Sequence, residues 1–220
     1  MKLNASWAAA WIKGAASAIE EHREELTELD RAIGDADHGE NMDRGFQAAA
    51  AKVRELDSPD TPAAILKVTA TTLISTVGGA SGPLVGTAFL RASKEANVPE
   101  LGAEELVDVL SAALGGIQAR GKAAEGEKTM VDAWAPAVQA AQDAADAGKD
   151  LAEVLRAAAE GAARGAKATE PMQATKGRAS YLGDRSCGHL DPGAVSASYI
   201  LAAAVDAAEA QSAEGTEGAE

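Results

Sequence analysis

Apolar residues return every three or four positions along most of this chain, and that period constrains the fold more than any other feature. Leu3, Trp7, Trp11, Ala15 and Ile19 make one stripe, and Met42, Phe46, Ala49, Val53 and Leu56 make a second. Ile65, Leu66, Thr69, Leu73 and Val77 make a third, and Leu106, Val109, Leu110, Ala113 and Leu114 a fourth. Such spacing lines one face of an α-helix and does not suit a strand. Aromatic residues are only 3% of the 220 positions, so the core must be built mainly from Ala, Leu, Val and Ile. Alanine is the best helix former and lets helices approach closely. The expected fold is all-α.

Helix start and stop signals divide the chain into eight segments. The first runs from about Leu3 to Glu28. The second begins near Asn41 and stops at Asp57-Ser58-Pro59. The third follows Pro62, and its Thr-rich middle reads as helix rather than strand because it is long and does not alternate. The fourth runs from Ser81-Gly82-Pro83 to Glu95, with proline in the first turn. The fifth spans roughly Ala103–Arg120 and the sixth runs from Thr129 to Gly148, with Pro136 in its first two turns. The seventh covers Leu151–Lys167, and the eighth runs from Asp191-Pro192 to about Glu209. Short connections favour antiparallel neighbours. Two connections, Gly121–Lys128 and Thr169–Leu190, are long enough to suggest function. Residues 1–209 read as a single domain, and 210–220 as a disordered acidic tail carrying Glu214, Glu217 and Glu220 with no base.

The net charge of −14 argues against nucleic acid as a partner. The lone cysteine, Cys187, excludes a disulfide framework within the chain. No apolar run approaches the length that spans a bilayer, and Lys13 cuts short the apolar stretch at the N-terminus. A cytoplasmic location is the expectation.

Polar islands at the helix junctions carry the chemistry. Residues 30–41 read Asp-Arg-Ala-Ile-Gly-Asp-Ala-Asp-His-Gly-Glu-Asn. Asp30, Asp35 and Asp37, crowded on a bend, repel one another unless a cation lies among them. Carboxylates are the ligands Mg²⁺ prefers, usually in company with substrate phosphates. An EF-hand starting at Asp35 would need Asp or Asn at Gly39, Gly at Glu40 and an acid at Phe46, and it fails at all three. The Val77-Gly-Gly-Ala-Ser-Gly-Pro83 run leads bare backbone N–H groups into a helix start, which suits an anion. Gly116–Ala123 misses the P-loop pattern, with Ala123 in place of Ser or Thr and no preceding strand, although Gly121 can still line a ligand. Gly126-Glu-Lys-Thr-Met130 reads as a capped helix start near the same pocket. Lys176, Arg178 and Arg185 place cations in a long loop of an acidic protein, and Arg178 is the one assigned to a nucleotide. His22 reads as exposed and without a special role, and Cys187 as an inert small residue.

Together, in this order, the islands resemble the L subunit of dihydroxyacetone kinase. The resemblance rests on Ile33-Gly-Asp-Ala-Asp-His-Gly-Glu-Asn-Met42, Gly78-Gly-Ala-Ser-Gly-Pro83, Gly121-Lys-Ala with Gly126 to Met130, and Lys176-Gly-Arg-Ala-Ser-Tyr-Leu-Gly183 through Asp191-Pro-Gly193. It implies an antiparallel eight-helix barrel with a nucleotide site at one end. It also implies that Asp30, Asp35 and Asp37 hold two Mg²⁺ ions against the phosphates of ADP or ATP. The implied nucleotide contacts are His38, Gly39, Asn41, Gly79, Ala80, Ser81, Gly121, Met130, Arg178, Asp191, Pro192 and Gly193. Ala36 stands where relatives often carry glycine, which leaves the metal turn less freedom.

The implied activity is transfer of phosphate from a Mg-bound nucleotide to dihydroxyacetone held on a separate K subunit. The donor is either ATP or a phosphotransferase-system protein that recharges bound ADP. Alternatives are a kinase subunit for a related ketose such as erythrulose, or a non-catalytic nucleotide-sensing module that regulates a partner. The paired-metal aspartates favour the catalytic reading. The sequence is equally compatible with a monomer and a homodimer.

Overall fold

The computed structural model describes residues 1–217. Its helices are α1 (Ala5–Glu21), α2 (Arg23–Ile33), α3 (His38–Arg54), α4 (Pro62–Thr76), α5 (Ser81–Glu95), α6 (Ala103–Gly121), α7 (Val131–Asp146), α8 (Leu151–Ala168) and α9 (Pro192–Glu217). A 3₁₀ segment, Arg178–Ser186, interrupts the long connection before α9. A short antiparallel pair, β1 (Leu3–Asn4) and β2 (Glu100–Leu101), joins the N-terminus to the α5–α6 connection, with Leu3 opposite Leu101.

All-α is the fold found, and the predicted stripes face inward: Leu3, Trp7, Trp11, Ala15, Ile19, Phe46, Leu66 and Leu110 are all buried. Three predicted boundaries need correction. The first predicted helix is two helices with a corner at His22, beyond which Leu26, Asp30 and Ile33 turn inward on α2. His22 stacks on Tyr199 at 4.0 Å, and its Nδ1 lies 2.8 Å from Glu25, so this residue forms the corner rather than standing idle. The second predicted helix begins three residues early, at His38. The last continues past Glu209 to Glu217, because Gln211 donates to Asn4 and Ser6 at the start of α1. Residues 210–217 are thus helix rather than tail, and the rest of that predicted tail, 218–220, lies outside the described residues.

The helices pack in a closed circuit, α1 on α3, then α4, α5, α6, α7, α8 and α9 in turn, with α9 back on α1. Two indoles staple the closing contact. Trp7 Nε1 donates to the Ala204 carbonyl at 3.0 Å and Trp11 Nε1 to that of Ile200 at 2.7 Å. Each buried N–H finds a partner, as burial of a tryptophan requires. Small residues set the α7–α8 contact: a Cβ at Gly161 would lie 2.4 Å from the Pro136 carbonyl, and one at Gly165 2.1 Å from that of Asp132. No described helix is long and apolar enough to cross a membrane.

Candidate nucleotide and metal site

The aspartate stretch is not one bend. Asp30 lies in the last turn of α2, Asp35 and Asp37 in the turn 34–37, and His38–Asn41 in the first turn of α3. Asp30 is buried, and its Oδ2 accepts the N–H groups of Asp37 (2.9 Å) and His38 (3.2 Å). The carboxylate therefore holds the turn in place. Gly34 is required beneath it, since a Cβ there would lie 2.0 Å from Asp30 Oδ1. Ala36 takes a left-handed φ of +62°, a conformation costly for a residue with a Cβ. As a result, oxygens of Asp30, Asp35 and Asp37 lie within 4.8 Å of one another.

These carboxylates border a cavity of about 490 Å³. The Gly78–Ser81 loop lines it too, where Gly79 has a φ of +65° and α5 starts at Ser81. A third side carries Met130 with Asp191, Pro192 and Gly193, and Lys176–Ala179 border the rim. Arg178 Nη2 reaches Asp35 Oδ2 at 2.8 Å across that rim. A second cavity of about 410 Å³ adjoins the first and shares Gly79, Ala80, Leu84, Thr129, Met130, Lys176 and Gly177 with it. Pro83, Leu84, Ile117, Ala123, Met130 and Val131 give this neighbour an apolar lining, and Gly121 borders it.

Buried polar groups complete the walls. His38 is buried, with Nδ1 3.1 Å from Ser81 Oγ and Nε2 2.9 Å from Ser196 Oγ. Burial lowers its pKa, against the pull of Asp30 and Asp37, so the ring is held neutral between two hydroxyls. Its place links the aspartate turn to the α5 start and to α9. Asp191 caps α9, its Oδ2 accepting the Ala194 N–H at 2.7 Å. Burial raises its pKa to about 7; the Asp132 and Asp30 carboxylates add to the rise, while the Ala194 N–H and the Lys128 ammonium oppose it. Asp132 accepts from the Thr129 N–H at 2.8 Å and from that of Gly126, which shapes the loop before α7.

Of the residues expected at the site, Gly39 and Asn41 border neither cavity. Gly39 faces α2, where a Cβ would lie 2.1 Å from the Arg23 carbonyl. Asn41 accepts a hydrogen bond from Arg44 and sits 2.9 Å from where a Gly78 Cβ would be, so it buttresses the glycine loop from behind. All the others border one cavity or both. The sequence reading missed Lys128, Thr129, Leu84, Ser196 and the contribution of Lys176. Lys128 and Thr129 lay in an island already marked by Gly126 and Met130. Leu84 and Ser196 carry no signal apart from the fold.

Three clustered carboxylates with hard oxygen donors, one anchored by backbone N–H groups, suit a hard cation such as Mg²⁺. That Asp35 already takes a guanidinium partner shows the cluster accepting positive charge from the cavity side. Lining the same cavity, a glycine loop feeding a helix start suits phosphate oxygens.

The fold is an all-α domain with clustered carboxylates and a glycine loop lining one cavity, and the sequence assigns it to a family. The chain belongs to the DAK2 domain family, whose signature matches residues 32–206. It is 42% identical over 201 residues to the PEP-dependent dihydroxyacetone kinase 1, ADP-binding subunit DhaL, of Listeria innocua, covering 91% of this chain and 96% of that one. It is 43% identical over 202 residues to the corresponding PEP-dependent subunit of Escherichia coli, again covering 91% and 96%. Among solved structures, the dihydroxyacetone kinase from C. freundii in complex with AMP-PNP and Mg²⁺ matches with a TM-score of 0.67 at 25% identity. That match covers 90% of this chain, which spans about a third (33%) of the longer one.

Proposed function

We propose that this chain is the nucleotide-binding, phosphoryl-transferring L subunit of a dihydroxyacetone kinase. The observation that carries the reading is the three-aspartate cluster and the Gly78–Ser81 loop lining one cavity, with Arg178 paired to Asp35 beside it. Asp30, Asp35 and Asp37 would hold Mg²⁺, two ions by family resemblance, and the metal would supply charge neutralisation on the phosphates. Phosphoryl transfer depends on positioning and electrostatics more than on covalent help from the protein. The chain's own residues fit that demand. Loop N–H groups and the α5 start orient phosphate oxygens, Arg178 adds a cation, and neutral His38 braces both walls. The base would occupy the apolar neighbour against Leu84, Met130 and Gly121.

By family resemblance the acceptor, dihydroxyacetone, is held on a separate K subunit, so the chain by itself should turn over nothing. The names of the bacterial relatives, PEP-dependent in two and PTS-dependent in that of Lactococcus lactis, support a phosphotransferase-system donor, which by family resemblance recharges bound ADP.

Calorimetric titration of ADP with Mg²⁺ into the chain and into Asp35→Asn tests the site, and equal affinity in both would overturn it. Phosphorylation of dihydroxyacetone in the presence of purified K subunit tests the activity. A phosphohistidine donor protein should support turnover and ATP alone should not; no turnover with either donor would reject the kinase reading.

A further inference from the structure

The buried ammonium of Lys128 has no role in the site as described above. Lys128 is 1% exposed and holds a left-handed φ of +60°. Its Nζ donates toward the backbone carbonyls of Thr169 (2.8 Å), Met172 (3.0 Å), Glu170 (3.3 Å) and His189. All four partners are main-chain carbonyls and none is a carboxylate. An ammonium has three protons, so four acceptors mean a shared bond, as for a cation in a carbonyl cage.

The cage joins two distant points of the chain. Thr169 is the C-cap of α8, with Glu170 and Met172 just beyond it, and His189 lies just before the start of α9. Carbonyls at a helix C-terminus lack intrahelical partners and carry the negative end of the dipole, which favours a cation there. Lys128 thus sits at the base of the 169–190 loop, where its two ends meet. Neutral bonds assist, from Gly188 N–H to the Glu170 carbonyl (2.8 Å) and from Asp191 N–H to Thr169 Oγ1 (2.9 Å). Bonds from a charged donor are roughly twice as strong. At the far end of the loop, Lys176–Ala179 border the cavity and Arg178 meets Asp35.

We propose that Lys128 is a positioning residue, an internal cation that clamps both ends of the 169–190 loop and so holds Arg178 and the Asp191–Gly193 wall at the nucleotide. The consequence for nucleotide rests on the function proposed above; the clamp itself does not. Emptied of its side chain, the same cage has the carbonyl chemistry that takes a free monovalent cation.

Lys128→Met keeps the left-handed strain and an apolar stem but removes the ammonium. In the full chain without nucleotide, amide hydrogen exchange within 169–190 should quicken ~10-fold or more, with α4 and α5 unaffected. Affinity for Mg-ADP should weaken by a similar factor. Lys128→Gly, which relieves the backbone and opens the cage, should regain slow exchange and affinity in ammonium chloride but not in tetramethylammonium chloride of equal strength. Unchanged loop exchange in Lys128→Met would overturn the clamp, as would a Lys128→Gly chain that responds no more to ammonium than to tetramethylammonium. If the unaltered chain binds no Mg-ADP, the nucleotide reading falls, while loop exchange still decides the clamp.

Discussion

The aspartate turn and the 169–190 loop border one cavity, packed together through Ile33, Ala174 and Ala179, and they are built by opposite means. The turn is short and held by its own neighbours: Asp30 accepts two N–H groups from seven and eight residues ahead, and Gly34 leaves room for its carboxylate. The loop is long, and distant segments hold it: Lys128 at its base, Thr175 on Glu127, and Ser186 Oγ taking the Ala174 N–H within it. Chemistry that depends on a fixed cluster of charges sits on the local element. The exposed Arg178 cation that borders the cavity belongs to the loop. A turn closed by neighbours cannot shift without breaking its own bonds.

The sharpest way to break this comparison is to add one methyl group to each side. Gly34→Ala puts a Cβ into Asp30 and should cost ~2–3 kcal/mol, whereas Gly188→Ala, in open space with a left-handed φ of +82°, should cost only ~1 kcal/mol. Urea midpoints read both, and equal losses would mean the turn is no more constrained than the loop. Arg178→Ala should move stability by less than ~0.5 kcal/mol, because its pair with Asp35 is solvent-exposed. Mg-ADP affinity should nevertheless fall by ~10-fold, since a cation at the phosphates is lost. That split between stability and binding is what a wall built for ligand predicts.

Asp191 closes the loop side, and its effect should depend on pH. Burial raises its folded pKa from 3.8 to about 7, so the folded chain holds this proton more tightly than the unfolded one. Its contribution to stability is fully present below the unfolded value and is lost as pH rises through about 7. Relative to the unaltered chain, Asp191→Asn should therefore gain urea resistance between about pH 4 and pH 7, and a constant difference would remove the shift. Buried His38 works with the opposite sign, its lowered pKa weakening the fold as pH falls below the unfolded value of 6.5, which is why the difference between the two chains is the useful quantity. The smallest effect should come from Ala36→Gly in the aspartate turn. Relief of the left-handed strain, about 1 kcal/mol, is partly offset by glycine's greater freedom when unfolded, leaving a gain of a few tenths of a kcal/mol in the same denaturation.

What could be read in the sequence follows this division. The all-α class and the inward faces of the helices came from local periodicity, and the aspartate cluster from residues close enough in the chain to meet without help. The corner at His22 did not show, because the apolar stripe continues across it while the helix axis turns toward Tyr199 on α9. The continuation to Glu217 was hidden for a similar reason: an acidic, glycine-containing end reads as unstructured until Gln211 meets Asn4 and Ser6 on α1. Gly39 and Asn41 looked like ligand contacts by position. Packing turns Gly39 toward α2 and sets Asn41 behind the glycine loop.

By itself, then, the sequence determined the helices, the three carboxylates and the glycine loop, since each depends on residues within a few positions of one another. Only the tertiary structure decided how these meet: which helix follows which around the circuit, that His38 lies between Ser81 and Ser196, and that Lys128 gathers carbonyls from both ends of a distant loop. The physical reason is range. Periodicity and capping act over one or two helical turns, whereas a buried ammonium or imidazole is satisfied by whatever polar groups the folded chain brings to it.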